Sequence, residues 1–212
     1  MTETPSKPSE NAPTAQPARK RPAPGERRVQ ILQTLAAMLQ EPSAESVTTA
    51  ALAARLDVSE AALYRHFASK AQMFEGLIEF IESSVFGLIN QIQARHADAP
   101  NGRQQAGQVV AMLLQFAEKN PGMARVMVGD ALVRENVRLQ QRMNLFFDKV
   151  EAALKQVLQV DTPLSGADAA LAAGVLVAFA SGKLQRFVRS GFRHRPSEHA
   201  DAGLALLLRA IY

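Results

Sequence analysis

The stretch Thr48–Lys70, TTAALAARLDVSEAALYRHFASK, constrains the fold of this chain more than any other. It reads as two short helices joined by a tight turn and running into a third. The hydroxyl of Thr48 can accept a bond from an orphan amide of the first turn, as an N-cap does. Val47 and Leu52 stand at the staple positions around that cap, and Val58 and Leu63 stand around the next one, Ser59. Asp57 ends the first helix where the chain bends sharply. Ala53 and Leu63 are ten residues apart, the spacing at which a helix-turn-helix packs its two helices. The small residue lets the helices approach, and the aliphatic one fills the gap between them.

The second helix, read as Glu60–Phe67, is the candidate reader of DNA. Its inner face carries Leu63 and Phe67. Its outer face carries Ser59, Ala61, Ala62, Tyr64, Arg65 and His66. Small residues at its start would let it sit close to base edges in the major groove. Tyr64, His66 and Lys70 suit phosphate oxygens. The candidate DNA-binding set is therefore Thr48, Thr49, Ser59, Glu60, Ala61, Ala62, Tyr64, Arg65, His66 and Lys70. Spacing alone leaves a second reading open, a core hairpin whose polar face is merely solvated.

The run VSEAALYRHFASK resembles the DNA-binding domain of the TetR family of bacterial regulators, most specifically in LYRHF followed by SK and a long helix. The resemblance implies an all-α fold of about nine helices. It places an N-terminal three-helix DNA-binding domain at 25–70 and a C-terminal helical dimerisation and partner-binding domain at 71–212. One departure is visible. Asp57 stands where such turns usually hold glycine, and Asp tolerates the left-handed conformation better than most residues.

The rest of the chain agrees with a helical protein. Its 212 residues are 47% hydrophobic and include no cysteine, which excludes disulfides and thiolate zinc sites and fits a reducing cytoplasm. A formal net charge of +4 favours a polyanionic partner. Residues 1–24 hold six of the 11 prolines, lack an apolar core and read as a disordered tail rather than a signal peptide. The tail ends in Arg19, Lys20 and Arg21, with Arg27 and Arg28 just beyond. This basic arm is suited to phosphates or the minor groove.

Helical periodicity then divides the chain in order. Glu26–Leu39 carries Val29, Leu32, Leu35, Ala36 and Leu39 as its core stripe. Ser69 and Gln72 form a capping box for a long helix to about His96, with Met73, Leu77, Ile78, Ile81, Val85, Leu88, Ile89 and Ile92 inward. Phe80 stands at the edge of that stripe, and Phe86 falls on the polar side. Helices follow at about Arg103–Lys119, Met123–Val128 and Ala131–Gln159, with Asn120-Pro121-Gly122 as a sharp break. The charges of the last of these, Arg134, Arg138, Arg142, Lys149 and Lys155, read as solvated.

Within the helix read as Ala167–Val188, the run Ala169–Gly182 carries no charge on any face, so its burial calls for a second chain. With the helix at about Glu198–Ile211 it predicts a four-helix homodimer interface. The lining would be Ala170, Ala173, Gly174, Val177, Ala178, Gly182, Leu204, Leu207 and Leu208. The longest charge-free run, Ala169–Gly182, is shorter than the ~18 residues a membrane span needs.

No catalytic constellation is visible. The four histidines make no i, i+4 pair, and no Gly-rich loop follows a strand, so neither enzyme activity, cofactor nor metal is expected. Outside the helix-turn-helix, the segments LIEFIESSVFGLIN, FAEKNPGMARVMVGDALV, RLQQRMNLFFDKVEAALKQVLQ and RFVRSGFRHRP are similar to one branch of the TetR family, the nucleoid occlusion factors. The likeness runs from Arg27 to about Ala205. It implies a cytoplasmic, nucleoid-associated homodimer on palindromic chromosomal sites that, once bound to DNA, engages the division protein FtsZ and antagonises its polymers. The FtsZ-binding groove it implies consists here of Phe80, Leu88, Met112, Gln115, Lys119 and Asn120. Lys119 stands where an arginine is expected, which removes bidentate carboxylate geometry; Leu88 and Gln115 also depart. The alternative reading is a ligand-responsive TetR-like repressor.

Overall fold

Caps written into the sequence start most of the helices. A computed structural model describes residues 25–41, 47–133, 135–160 and 164–211. The expected tail at 1–24, with Arg19, Lys20 and Arg21, lies outside the described residues. Among the described residues there are nine α-helices, one 3-10 turn and no strand. They are α1 (Glu26–Leu39), α2 (Thr49–Leu56), α3 (Glu60–Tyr64), α4 (Lys70–Arg95), α5 (Gly102–Lys119), α6 (Pro121–Met127), α7 (Val137–Leu158), α8 (Gly166–Arg189) and α9 (Ala200–Ile211). The side chains of Thr48, Ser59, Ser69, Asn101, Asn136 and Ser165 each accept a backbone N–H of the helix they open. At Ser69 the box closes one residue early, because the Gln72 side chain accepts the N–H of Ala68 at 2.8 Å.

The long seventh helix begins at Val137, not Ala131. Gly129 takes a left-handed conformation, Asp130–Leu132 forms a 3-10 turn, and Asn136 caps the helix proper. The α1 stripe is also rotated from its expected phase. Val29 is 48% exposed, Leu32 and Ala36 are half-buried, and Ile31, Leu35 and Leu39 are the buried row.

Helices α1 to α3 surround Ile31, Leu35, Leu52, Ala53, Leu63 and Phe67. Helix α4 carries this core into the second unit, where Met73 through Ile92 recur at helical spacing and stay dry. Part of its polar side, at Glu82 and Phe86, is covered by α7. Phe86 stacks edge-on against Phe146 of α7 at 6.0 Å, and Glu82 receives Arg142 at 3.4 Å and Lys149 at 2.9 Å. Those two cations therefore bridge α7 to α4, in place of the solvated role expected of them.

The two units meet at α6. Gly122 brings its backbone so close to α1 that an added Cβ would lie 1.9 Å from the Ala36 carbonyl oxygen. Arg125 donates to the Leu39 carbonyl at 3.2 Å and pairs with Asp130 at 2.6 Å. On the other side, Lys70 pairs with Glu135 at 2.5 Å.

Helix α8 is 24 residues long and apolar enough, by length and composition alone, to cross a membrane. It packs mainly on α7 and also on α5 and α6, with Ala169, Ala173, Leu176, Ala180 and Leu184 buried. Yet only 33% of its most apolar window is buried inside the protomer.

Candidate DNA-reading face and partner groove

The turn between α2 and α3 is held by its backbone. Asp57 has φ 54° and ψ 51°, in the left-handed region. The Val58 N–H donates to the Ala53 carbonyl at 3.1 Å and the Asp57 N–H to Ala54 at 3.2 Å. This is the Schellman arrangement, usually closed by glycine. Ala53 and Leu63 are both buried at the crossing, as their spacing predicts.

Helix α3 is shorter than expected and ends at Tyr64. Arg65 and His66 lie in the turn that follows, with the His66 and Phe67 N–H groups still bonded to the Leu63 carbonyl. That end is clamped from α1. The Arg28 guanidinium donates to the His66 carbonyl at 2.5 Å and lies 4.1 Å above the Phe67 ring. Arg28, though exposed, thus braces the end of α3 from α1.

The candidate DNA contacts fall into three groups. Ser59, Ala61, Tyr64 and Arg65 are exposed on one outer surface, with Ala62 and His66 half-exposed. Thr48 and Ser59 use their hydroxyls as caps, which leaves a second lone pair on each. Thr49 donates to the Glu60 carboxylate at 2.7 Å, so this pair ties α2 to α3. A carboxylate so placed would repel phosphate. Lys70 is not free either, because its ammonium already faces Glu135, whose side chain is only 13% exposed. No sequence pattern pointed to Glu135, which lies 65 residues away.

The second constellation lies on the paired helices α4 and α5. Phe80 is 42% exposed on α4, far above the buried row beside it. Leu88 is half-buried on the same helix. Met112, Gln115 and Lys119 follow at i, i+3 and i+7 on α5, with Gln115 and Lys119 exposed. Asn120 closes the row, but its amide donates to the Phe116 carbonyl at 2.7 Å and so caps α5. Phe80, Leu88 and Met112 are the partly exposed apolar members of the set, and among the described residues Lys119 forms no ion pair.

The residues expected at a dimer interface separate by depth. Ala173, Leu204 and Leu208 are covered within the protomer. Ala170, Gly174, Val177 and Leu207 are half-buried, and Ala178 and Gly182 are exposed. Gly174 faces α7, with Glu151 3.7 Å from where its Cβ would be. On α8 and α9, Leu171 at 71%, Val175 at 48% and Leu206 at 63% are the large apolar groups left in solvent. Part of the expected set is thus used inside the protomer, and Ala178 and Gly182 remain open to a partner. Among the described residues no group of three His, Cys, Asp or Glu side chains could hold a metal.

Comparison with known proteins decides the relationship. Residues 31–77 match the family described as bacterial regulatory proteins, tetR family, and residues 104–211 match the tetracyclin repressor-like C-terminal domain of SlmA-like type. The nucleoid occlusion factor SlmA of Shewanella sediminis is 49% identical over 179 residues, which is 82% of this chain and 89% of that protein. The chain belongs to the SlmA family of nucleoid occlusion factors. The SlmA of Idiomarina loihiensis is 47% identical over 180 residues, 83% of this chain and 90% of that one.

Solved structures show how this family's fold extends to distant regulators. A TetR transcriptional regulator from Legionella pneumophila superposes with TM-score 0.70 at 15% identity, covering 88% of this chain and 98% of its own. A transcriptional regulator from Rhodococcus does so with TM-score 0.70 at 20% identity, covering 87% and 95%. At these identities the likeness speaks for the SlmA-family fold alone.

Proposed function

We propose that this protein is a nucleoid occlusion factor. It is a cytoplasmic, nucleoid-associated homodimer that binds palindromic chromosomal sites through α2 and α3. Once on DNA it takes FtsZ along Phe80, Leu88, Met112, Gln115, Lys119 and Asn120, and antagonises FtsZ polymers without performing catalysis. Near 49% identity across most of the chain to proteins named for nucleoid occlusion carries this reading. Phe80 supports the groove, since a large aromatic held 42% exposed beside a dry helix face is a ready anchor for a partner. The α8 stripe of Leu171, Val175, Ala178 and Gly182, together with Leu206 of α9, supports the homodimer.

The test is sedimentation of FtsZ polymers with and without a palindromic duplex. Capture should require the duplex, and Phe80→Ala should abolish it while DNA binding persists. Capture retained by that variant would move the groove elsewhere. Exposed Tyr64 tests the DNA face: Tyr64→Ala should weaken binding to every duplex sequence alike. One observation favours a second reading, a ligand-responsive repressor. A cleft of about 600 Å³ opens between α6, α7 and α8, with Phe147, Met143, Asn144, Gln185 and Arg189 among its lining. A small molecule that releases the duplex would establish that reading.

A further inference from the structure

Between Lys183 and Arg195 the chain holds Lys183, Arg186, Arg189, Arg193, His194 and Arg195, and no acid. The helix dipole accounts for Arg186 and Arg189, which lie in the last turn of α8. It does not account for Arg193, His194 and Arg195, which stand beyond the helix and are all exposed. The turn that presents them is built at a conformational cost. Gly191 and Phe192 both have positive φ, 62° and 66°, and a bulky residue rarely adopts that conformation.

Both flanks of the turn are pinned. Phe192 donates its N–H to the Phe187 carbonyl at 2.9 Å and rests against the Phe187 ring at 5.1 Å. The Ser190 hydroxyl donates to Phe187 and accepts the N–H groups of Arg193 and His194. On the far side Pro196 is buried, and Ser197 donates both its N–H and its hydroxyl to Glu118. Among the described residues, Arg186, Arg189, Arg193 and Arg195 form no ion pair.

The place of this turn in the fold selects its partner. The end of α8 meets α6: Val188 and Arg189 share a cleft with Met127–Asp130, and α6 packs on α1 of the helix-turn-helix unit. The exposed α8 stripe Leu171, Val175, Ala178, Gly182 runs on into Arg186 and Arg189. A homodimer that pairs the two stripes with both α8 C-termini on the α6 side would bring the basic ends together near the helix-turn-helix units. Such a concentration of like charge is unfavourable without an anion between the copies.

We propose that the last turn of α8 and the turn Gly191–Arg195 form a second DNA-contacting surface. It takes the phosphate backbone of the same duplex, between the two half-sites held by the α3 helices. Arginine is suited to this because its planar fork matches phosphate oxygens. The contact reads no sequence. The inference rests on the homodimeric DNA-binding reading above.

The experiment compares the full chain with Arg193→Gln/Arg195→Gln in duplex titrations between 50 and 200 mM salt. Four arginines leave the dimer, so the slope of log affinity against log salt should become shallower by up to about 3.6, at roughly 0.9 per contact. The loss should be equal on palindromic and scrambled duplexes. Arg195→Gln alone should give about half the change. A variant dimer that keeps the parent's slope overturns this surface and leaves the DNA-binding reading standing. Loss of sedimentation with phosphatidylglycerol vesicles at an unchanged DNA slope overturns it in favour of a lipid surface. A parent chain that is monomeric, or binds no duplex, overturns both.

Discussion

Gly122→Ala should loosen the joint between the DNA-reading unit and the rest of the protein. The added methyl would lie 1.9 Å from the Ala36 carbonyl oxygen and 2.9 Å from its carbon, both backbone atoms that no rotamer change can move. An ordinary C···O contact is about 3.3 Å, so α6 must retreat from α1 by more than an ångström. Overpacking of this kind costs about 1–3 kcal/mol. The retreat also stretches the 3.2 Å bond from Arg125 to the Leu39 carbonyl, and a charged hydrogen bond adds about 1.5 kcal/mol. A chain of this size loses about 2–4 °C of melting temperature per kcal/mol, so the midpoint by circular dichroism should fall by roughly 10 °C. Gly87→Ala is the control, because nothing lies within 4 Å of its added methyl. There the same chemical change in a helix interior should stabilise by about 0.5–1 kcal/mol. The reasoning fails if Gly122→Ala melts no lower than Gly87→Ala.

Further outcomes follow from other contacts. Leu171→Glu places a charge on the most exposed apolar group of α8 and should yield monomers in sedimentation velocity; an unchanged dimer places the interface elsewhere. Gly174→Glu would be a poorer probe, since Glu151 lies 3.7 Å away and the protomer itself would suffer. Glu135→Gln releases the Lys70 ammonium and should tighten duplex binding, steepening the salt slope by up to about 0.9 per protomer. Identical titrations for parent and variant would remove Lys70 from the phosphate contacts. Leu63→Ala empties the crossing of α2 and α3 and should cost about 2–5 kcal/mol; a urea midpoint equal to the parent's would mean that crossing is not tightly packed.

What the sequence made legible is what is decided locally. Thr48, Ser59 and Ser69 each cap a helix within three residues of themselves, and all three do so as their pattern predicts. Ala53 and Leu63 belong to one supersecondary unit and meet as their spacing requires. Where the reading missed, the deciding partner lay far along the chain. The phase of α1 is set by α4 and α6, so Ile31 turned inward and Val29 out. Phe86 lies on the polar side of α4 by periodicity, but α7 covers that side. Lys70 looked like a free cation because Glu135 is 65 residues away. The breaker Asn120-Pro121-Gly122 was visible, but the reason for its glycine was not. That reason is a backbone 86 residues earlier, at Ala36. On α8, Ala173 of the expected interface is covered by the protomer itself while Ala178 and Gly182 stay exposed, because small residues satisfy a tight intramolecular crossing and an intermolecular one equally well.

These corrections converge on α6. Its first residue follows directly from Asn120, which ends the candidate groove, and its second is in backbone contact with α1. No chain of side-chain rearrangements is needed between the two ends, because the same seven-residue helix touches both. Packed backbones shift as units rather than deform gradually. Were duplex binding by the proposed homodimer to tilt the three-helix unit, the displacement would act on Gly122 and pass through α6 toward Lys119 and Asn120. The Arg125–Asp130 and Lys70–Glu135 pairs bracket the linker Asp130–Glu135 on either side of that joint. Neither pair is sealed from water. An allosteric claim needs one element whose position both sites bias, and in this chain α6 is the element with backbone on both.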